Sequence, residues 1–435
     1  MSIALERFER LVTAVPGPRS RALLATLARC EPHGVTFVSD AYPVVWASAH
    51  GSLVTDVDDN RYIDLTAAFG VANVGHTNAH VAAAVAAQAQ TLLHGMGDVH
   101  PAAVKAQLLE RLAALAPGDL EKTYLATGGA EAVEFALKTA LLATGKSRFL
   151  AFSGAYHGLS LGTLEVIGIP KFRAPFAALG ADRTTFLPFP GADTDLSAAL
   201  AAVGAALADD SQIAAIVIEP IQGRGGVIVP PAGYLAGLRT LCDAGGVVLI
   251  VDEIYTGFAR TGTLFACERE AVVPDLLCVG KALGGGVPIG ATIGRSAVVD
   301  AWPKSDGEAL HTATFLGNPL AAAAALATLD EIERLDLVAR VRAGAPHFRR
   351  LLEERFAHRG AVAAIRGTGY LWALEFHSAA VANRVVVEAL ARGVIVLQSG
   401  PTGTSITLAP PLVIDDDVLA RGLDLLAASV PGGAA

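Results

Sequence analysis

Short apolar runs and stretches of helical period alternate through the middle of the chain. RFLAFS, AAIVIEP, VVLIVDE and PDLLCVG are apolar cores a few residues long, and each lies between segments whose apolar positions recur every three or four residues. Continuous apolar runs suit strands buried on both faces, and the intervening helices supply the crossovers that parallel strands require. The region from about Phe69 to Val299 is therefore expected to be a mainly parallel sheet covered by helices on both faces. To about Asp64 the chain holds turns and short alternating strands, and SLVTDVDDNRYIDL reads as a hairpin with Asp58-Asp59-Asn60 at its tip. Beyond Pro319 come a long alanine-rich helix, amphipathic helices containing Arg340–Arg350, and short strands around Leu371–Phe376 and Ile406–Leu408. The expected class is α/β. A large domain spans residues 69–318, and a smaller α+β domain spans 319–435 and is joined by the N-terminal segment 1–68.

Composition narrows the setting. With 52% hydrophobic residues among 435, the chain has ample apolar surface to offset the entropy of folding. A mean hydropathy of +0.47 comes largely from alanine. The longest apolar runs, such as Leu320–Leu329 and Val247–Val251, fall short of the roughly 20 residues that span a bilayer, so no membrane partner is expected. A net charge of −9 without basic clusters argues against nucleic acid. Cys30, Cys242, Cys267 and Cys278 lie far apart, which gives neither a disulfide framework nor a zinc knuckle and suits a reducing compartment. MSIALERFERLVTAV lacks the apolar core of a signal peptide, so a cytoplasmic protein is expected, and the cysteine spacing leads to no metal being expected.

In open α/β sheets ligands bind outside the carboxyl ends of the strands, and four such ends carry chemistry here. In KTYLATGGAEAVEFALKTALL a glycine turn feeds a helix with Val133, Ala136, Leu137, Ala140 and Leu141 on one face and Glu134–Lys138 as an i,i+4 pair. Free N–H groups at such a helix start suit a phosphate, although the segment is neither a P-loop nor G-x-G-x-x-G. VVLIVDE delivers Asp252 into an interior, where it must pair with Arg260, a turn or a cationic ring nitrogen. PDLLCVGKALGGG ends a buried strand on Lys281, whose amine burial should make neutral and nucleophilic; Gly284, Gly285 and Gly286 let backbone approach a flat ligand. SGAYHGLSLGT sets Tyr156 and His157 at a further strand end, where an aromatic face can meet a flat ring. A phosphate cradle, an aromatic lid, a carboxylate and an amine together match the needs of pyridoxal 5′-phosphate.

From about Val35 to its end the chain resembles the class III (omega) aminotransferases, pyridoxal-phosphate enzymes of fold type I. The likeness rests on YLATGGAEAVEFALK, AYHG, IEPIQGRGG, VDEIYTGFARTG, VGKALGGGVPIGA, HTATFLGNPLAAAA, RGTGYLWALEF and LAPPLVI. It implies that Lys281 is the Schiff-base lysine and that Asp252 holds the pyridinium nitrogen protonated. It also implies that Gly129 and Ala130 bind the phosphate, that Tyr156 stacks on the ring beside His157, and that Glu219 orders the ring's surroundings. Tyr255 would lie near the 3′-oxygen, and Thr314 would reach the phosphate of a neighbouring subunit in a homodimer with shared sites.

Departures from the family pattern bear on substrate. Tyr255 replaces a common glutamine, Leu159 and Thr407 replace two carboxylate-reading arginines, and Arg224 replaces the glutamate that pairs with the second of them. Gly70 stands where relatives often have a bulky aromatic. The resemblance implies ping-pong transfer of an amino group from an amine or amino acid to a keto acid. Two neutral positions and one new cation point either to a small monocarboxylate acceptor such as pyruvate, with 2-oxoglutarate poorer, or, with Arg224 turned outward or paired with an acid of the partner chain, to a largely apolar amine for which Gly70 leaves room. Loss of the acceptor-reading arginines also leaves open an amino-acid racemase or epimerase on the same scaffold. A nucleotide-binding oxidoreductase or a non-catalytic binding protein has only the alternating architecture in its favour.

Overall fold

The computed structural model describes residues 8–432. Residues 1–7, the start of the stretch in which no leader is expected, lie outside the described residues, as do residues 433–435 at the end of the smaller domain. The chain divides into two compact units, one of residues 1–78 with 343–435 and one of residues 79–342. The division falls later than the expected boundaries at 68/69 and 318/319. The alanine-rich helix Pro319–Arg334 accordingly belongs to the larger unit, where it packs on helix Ala79–Thr91. Its many buried alanines permit that close approach.

In the larger unit seven strands form one sheet, ordered Leu120–Ala126, Gly290–Arg295, Leu276–Val279, Val248–Asp252, Ile213–Ile218, Arg148–Phe152 and Thr184–Leu187. Only Gly290–Arg295 runs antiparallel to its neighbours. Every residue of Ile213–Ile218, Val248–Asp252 and Leu276–Val279 is buried, which is why their sequences are unbroken apolar runs. The helix Gly129–Thr144 ends on Gly145 at φ +67, a left-handed cap that glycine adopts without penalty. Its Val133, Ala136, Leu137 and Ala140 share one core with Ala215, Val217, Val248, Ile250, Leu276 and Cys278 of the sheet.

The smaller unit holds two four-stranded sheets. In one, Leu53–Asp56 and Arg61–Asp64 form the expected hairpin, and Asp56 Oδ1 accepts from the N–H groups of Asp58 and Asn60 at 2.9 Å to fix the tip. Val394–Ile395 extends that sheet in parallel, so the N- and C-terminal segments build the unit together. The other sheet is antiparallel and contains Leu371–Phe376 and Ser405–Leu408. No helix among the described residues is long and apolar enough to cross a membrane.

Candidate active site

The parallel strands bring their carboxyl ends to one edge of the large sheet, and the candidate residues follow those ends directly. Asp252 closes Val248–Asp252, Glu219 follows Ile213–Ile218, Lys281 follows Leu276–Val279, and Tyr156 follows Arg148–Phe152. Leu120–Ala126 points the same way and leads into Gly128 and Gly129. Positions spread from 128 to 281 in sequence thus converge, as the rule for open α/β sheets requires.

Asp252 is 4% exposed, and each of its carboxylate oxygens has one partner in the fold. Oδ2 lies 2.7 Å from His157 Nδ1, and Oδ1 accepts from the N–H of Ile254 at 3.0 Å. The His157 contact joins residues 95 positions apart in the sequence. Burial pulls the His157 pKa down, but the hydrogen bond and charge of Asp252, with Glu219 behind, outweigh it and raise the pKa. Glu219 accepts from the N–H of Tyr156 and of Gly223, each at 3.0 Å, and burial pushes its pKa up to about 7.

Lys281 sits at φ +43, a left-handed conformation that costs a non-glycine residue strain and is typical of functional positions. Its Nζ lies 4.0 Å from the centroid of the Tyr255 ring. Burial, aided by the positive charges of Arg224 and Arg260, pushes the amine down to about 8 against the opposing pull of Asp252 and Glu219. Of the three glycines beyond it, Gly284 and Gly285 answer to protein packing. An added Cβ would meet Ile289 at 3.0 Å or Thr328 Oγ1 at 2.3 Å, and only Gly286 faces open space.

Gly128 precedes the helix Gly129–Thr144, and a Cβ there would meet nothing within 4 Å. Gly128 thus faces open space, with the positive end of the 16-residue helix that begins at Gly129 and Ala130 behind it. Gly129 itself is confined, because its Cβ would lie 2.7 Å from Ile254 Cδ1.

The substrate candidates divide between the units. In the larger unit Leu159 is exposed, and the Arg224 guanidinium lies 5.6 Å from the Tyr156 ring centroid and 5.5 Å from that of Phe172. Phe172 carries no motif signal; its place beside Tyr156, at 5.7 Å edge to face, emerges only from the fold. In the smaller unit Gly70 is buried at φ +75 and ends a left-handed run from Ala67, beside an exposed Phe69. Thr407 is buried, and its hydroxyl donates to Ser399 Oγ at 2.7 Å. Thr314 is exposed. The helix after it is capped by Asn318, whose Oδ1 accepts from the N–H groups of Leu320 and Ala321.

A strand-end lysine beside a buried carboxylate–imidazole pair and an open helix start defines a pyridoxal-phosphate type of site, and residues 37–430 match the class-III aminotransferase family model. The chain belongs to that family. It is 39% identical over 397 residues to a putrescine aminotransferase of Pectobacterium atrosepticum, covering 89% of this chain and 82% of that one. Among solved structures it matches an ornithine aminotransferase from Toxoplasma gondii (30% identity, 94% of each chain, TM-score 0.85). It also matches an amine transaminase from an uncultivated Pseudomonas species solved with the cofactor bound (30% identity, 92% of this chain and 98% of that one, TM-score 0.84). The protein is an aminotransferase dependent on pyridoxal 5′-phosphate, and none of these relatives supports the racemase alternative.

The residues present fit that cofactor. His157 Nε2 is buried without a hydrogen-bond partner, and each Asp252 oxygen, engaged once, keeps a second acceptor site for a protonated ring nitrogen. The open helix start suits a phosphate.

Proposed function

We propose that Lys281 carries the cofactor as a Schiff base and serves as the proton carrier of the transfer. Its depressed amine at a strained strand end, 4.0 Å from Tyr255, is the observation that supports this most. When bound, the cofactor supplies an electron sink for negative charge on the amine-bearing carbon. Once freed, Lys281 Nζ is able to take the proton from that carbon of the donor and return one when the acceptor is aminated. The Asp252 carboxylate, braced by His157, would hold the ring nitrogen and favour its protonated form. Gly129 and Ala130 would offer N–H groups to the phosphate, Tyr156 would supply the aromatic face for the ring and Tyr255 would serve the 3′-oxygen, while Glu219 fixes both the Tyr156 and Gly223 backbones.

The reading includes a homodimer in which Thr314 reaches the partner's phosphate site. The stretch holding Thr314 meets residues 93–98 through a His94–Phe315 ring contact at 5.2 Å and the Thr312–Asp98 and Asn318–Leu93 hydrogen bonds. The two stretches leave Leu93, Met96, Leu310 and Phe315 exposed, apolar side chains suited to burial against a second copy. The four thiols are unpaired and three are buried, which suits the cytoplasm, and small molecules rather than nucleic acid or membrane are the partners.

The acceptor is a small monocarboxylate keto acid such as pyruvate, read by Arg224, with Leu159 and Thr407 leaving the other two family positions neutral. The loop holding Arg224 is pinned, since Gly226 and Val227 both donate to Gly223 O at 3.1 Å and Gly223 donates to Glu219. The test converts the enzyme to its amino form and follows its return with each keto acid. Pyruvate should restore it faster than 2-oxoglutarate; the reverse order would remove Arg224 as the reader.

A further inference from the structure

We propose that Arg224 reads the donor as well as the acceptor, so that the donors are amines bearing a carboxylate and α,ω-diamines are poor ones. The inference rests on the acceptor reading above and extends it to the other half of the reaction. It also separates this chain from the diamine named for its Pectobacterium relative.

The argument is one of charge. Ping-pong transfer passes donor and acceptor through one pocket, so whatever stands beside the reacting amine meets both. The Gln222–Ile228 bridge closes the loop that presents Arg224. Gly223, the preceding residue, is pressed so closely on Tyr255 that a Cβ would meet its Cδ1 at 2.1 Å. Tyr255 in turn holds the Lys281 amine over its ring. Arg224 is therefore one residue and one aromatic ring away from the reacting nitrogen.

Arg224 forms no ion pair among the described residues; its contacts there are the faces of Tyr156 and Phe172. A carboxylate can engage the guanidinium without displacing another anion. A distal ammonium finds the opposite. The stretches that carry Tyr156, Phe172 and Arg224, residues 155–164, 169–176 and 221–228, contain Lys171, Arg173 and Arg224 and no acidic residue. The acids near these stretches are committed elsewhere: Asp252 to His157 and the Ile254 N–H, Glu219 to two N–H groups, Glu134 to Ser160 and Lys138, and Glu165 to the N–H groups of Ala181 and Arg183. An ammonium brought there is desolvated beside a like charge without a counter-ion, which costs heavily.

Three donors of one length isolate the effect: 4-aminobutanoate, butylamine and 1,4-diaminobutane. The holoenzyme is mixed with each, without keto acid, and conversion of the cofactor to its amino form is followed by absorbance. The expected order is 4-aminobutanoate, then butylamine, then 1,4-diaminobutane, with the first exceeding the second by about tenfold or more, the worth of one charge-assisted hydrogen bond. Arg224→Gln should bring 4-aminobutanoate down to the butylamine rate, and Arg224→Glu should place 1,4-diaminobutane above 4-aminobutanoate. An unchanged circular dichroism spectrum and full cofactor content show that each variant is intact, and the rate of each charged donor is read as its ratio to butylamine within the same variant, because the Arg224 charge also acts on Lys281. As a second readout, butanoate should bind the cofactor-free protein in calorimetry and lose that binding in Arg224→Gln. A wild-type preference for 1,4-diaminobutane over butylamine, or donor ratios unmoved in both variants, would overturn the proposal. Because no keto acid enters this half-reaction, a failure of the acceptor reading would show only in the return half.

Discussion

At the residue scale, the decisive quantities are the protonation states of Lys281 and Glu219. A lysine ordinarily near 10.5 but pushed down to about 8 is about one-tenth neutral at pH 7 and about half neutral at pH 8. Covalent capture of the cofactor aldehyde by the cofactor-free protein should therefore accelerate through a midpoint near 8, whereas a midpoint above 10 would mean that burial does not act on this amine. Glu219 carries the opposite sign of linkage. Its folded pKa, raised from the ordinary 4.5 to about 7, makes the protonated form the favoured one. The stability it contributes is complete below about 4.5 and is lost as pH rises through 7. The thermal midpoint of the cofactor-free protein, relative to that of Glu219→Gln, should fall between pH 5 and 8; a rise over that interval would reverse the assignment. Asp252→Asn removes the charge while keeping the shape, and turnover should drop by on the order of a hundredfold with an unchanged circular dichroism spectrum. Near-normal turnover would mean another group supplies the charge. The sequence made Lys281 and Asp252 legible because a polar residue ending an apolar run stands out. It could not reveal that His157, 95 positions away, is the Asp252 partner, or that Phe172 faces Arg224, since neither contact leaves a local pattern.

At the element scale, what packs two-sidedly was readable and what is short or small-residue was not. Ile213–Ile218, Val248–Asp252 and Leu276–Val279 are apolar throughout because both faces are covered. Gly290–Arg295, with the sequence GATIGR, carries too few large apolar residues to signal a strand, yet it joins Leu120–Ala126 to the sheet. Its glycine at 290 is required by contact with the phosphate turn: a Cβ would stand 2.5 Å from Gly128 O and 3.2 Å from Gly129 N. Backbone cannot yield as a flexible side chain does. Gly290→Ala should cost about 1–3 kcal/mol in denaturant unfolding and weaken cofactor retention on dialysis. Gly204→Ala, in the helix Leu196–Asp209 with only Leu241 at 3.7 Å, should instead be neutral or gain up to about 1 kcal/mol. Equal effects at the two positions would contradict the packing argument.

At the scale of the whole molecule, segments from both ends of the chain build one unit, as the parallel pairing of Val394–Ile395 with Ile63–Asp64 requires. The proposed shared-site dimer would cover exposed apolar side chains near Thr314, Leu93 and Phe315 among them. Leu93→Asp combined with Phe315→Asp should yield a monomer in analytical ultracentrifugation with weakened cofactor binding; full activity in that monomer would refute shared sites. The central claim, however, is that one amine among all the lysines holds the cofactor. Borohydride reduction of the purified holoenzyme followed by peptide mapping tests it most directly. The account predicts a single pyridoxyl group on the peptide containing Lys281 and none on the Lys281→Ala variant, and a label on any other lysine would contradict it.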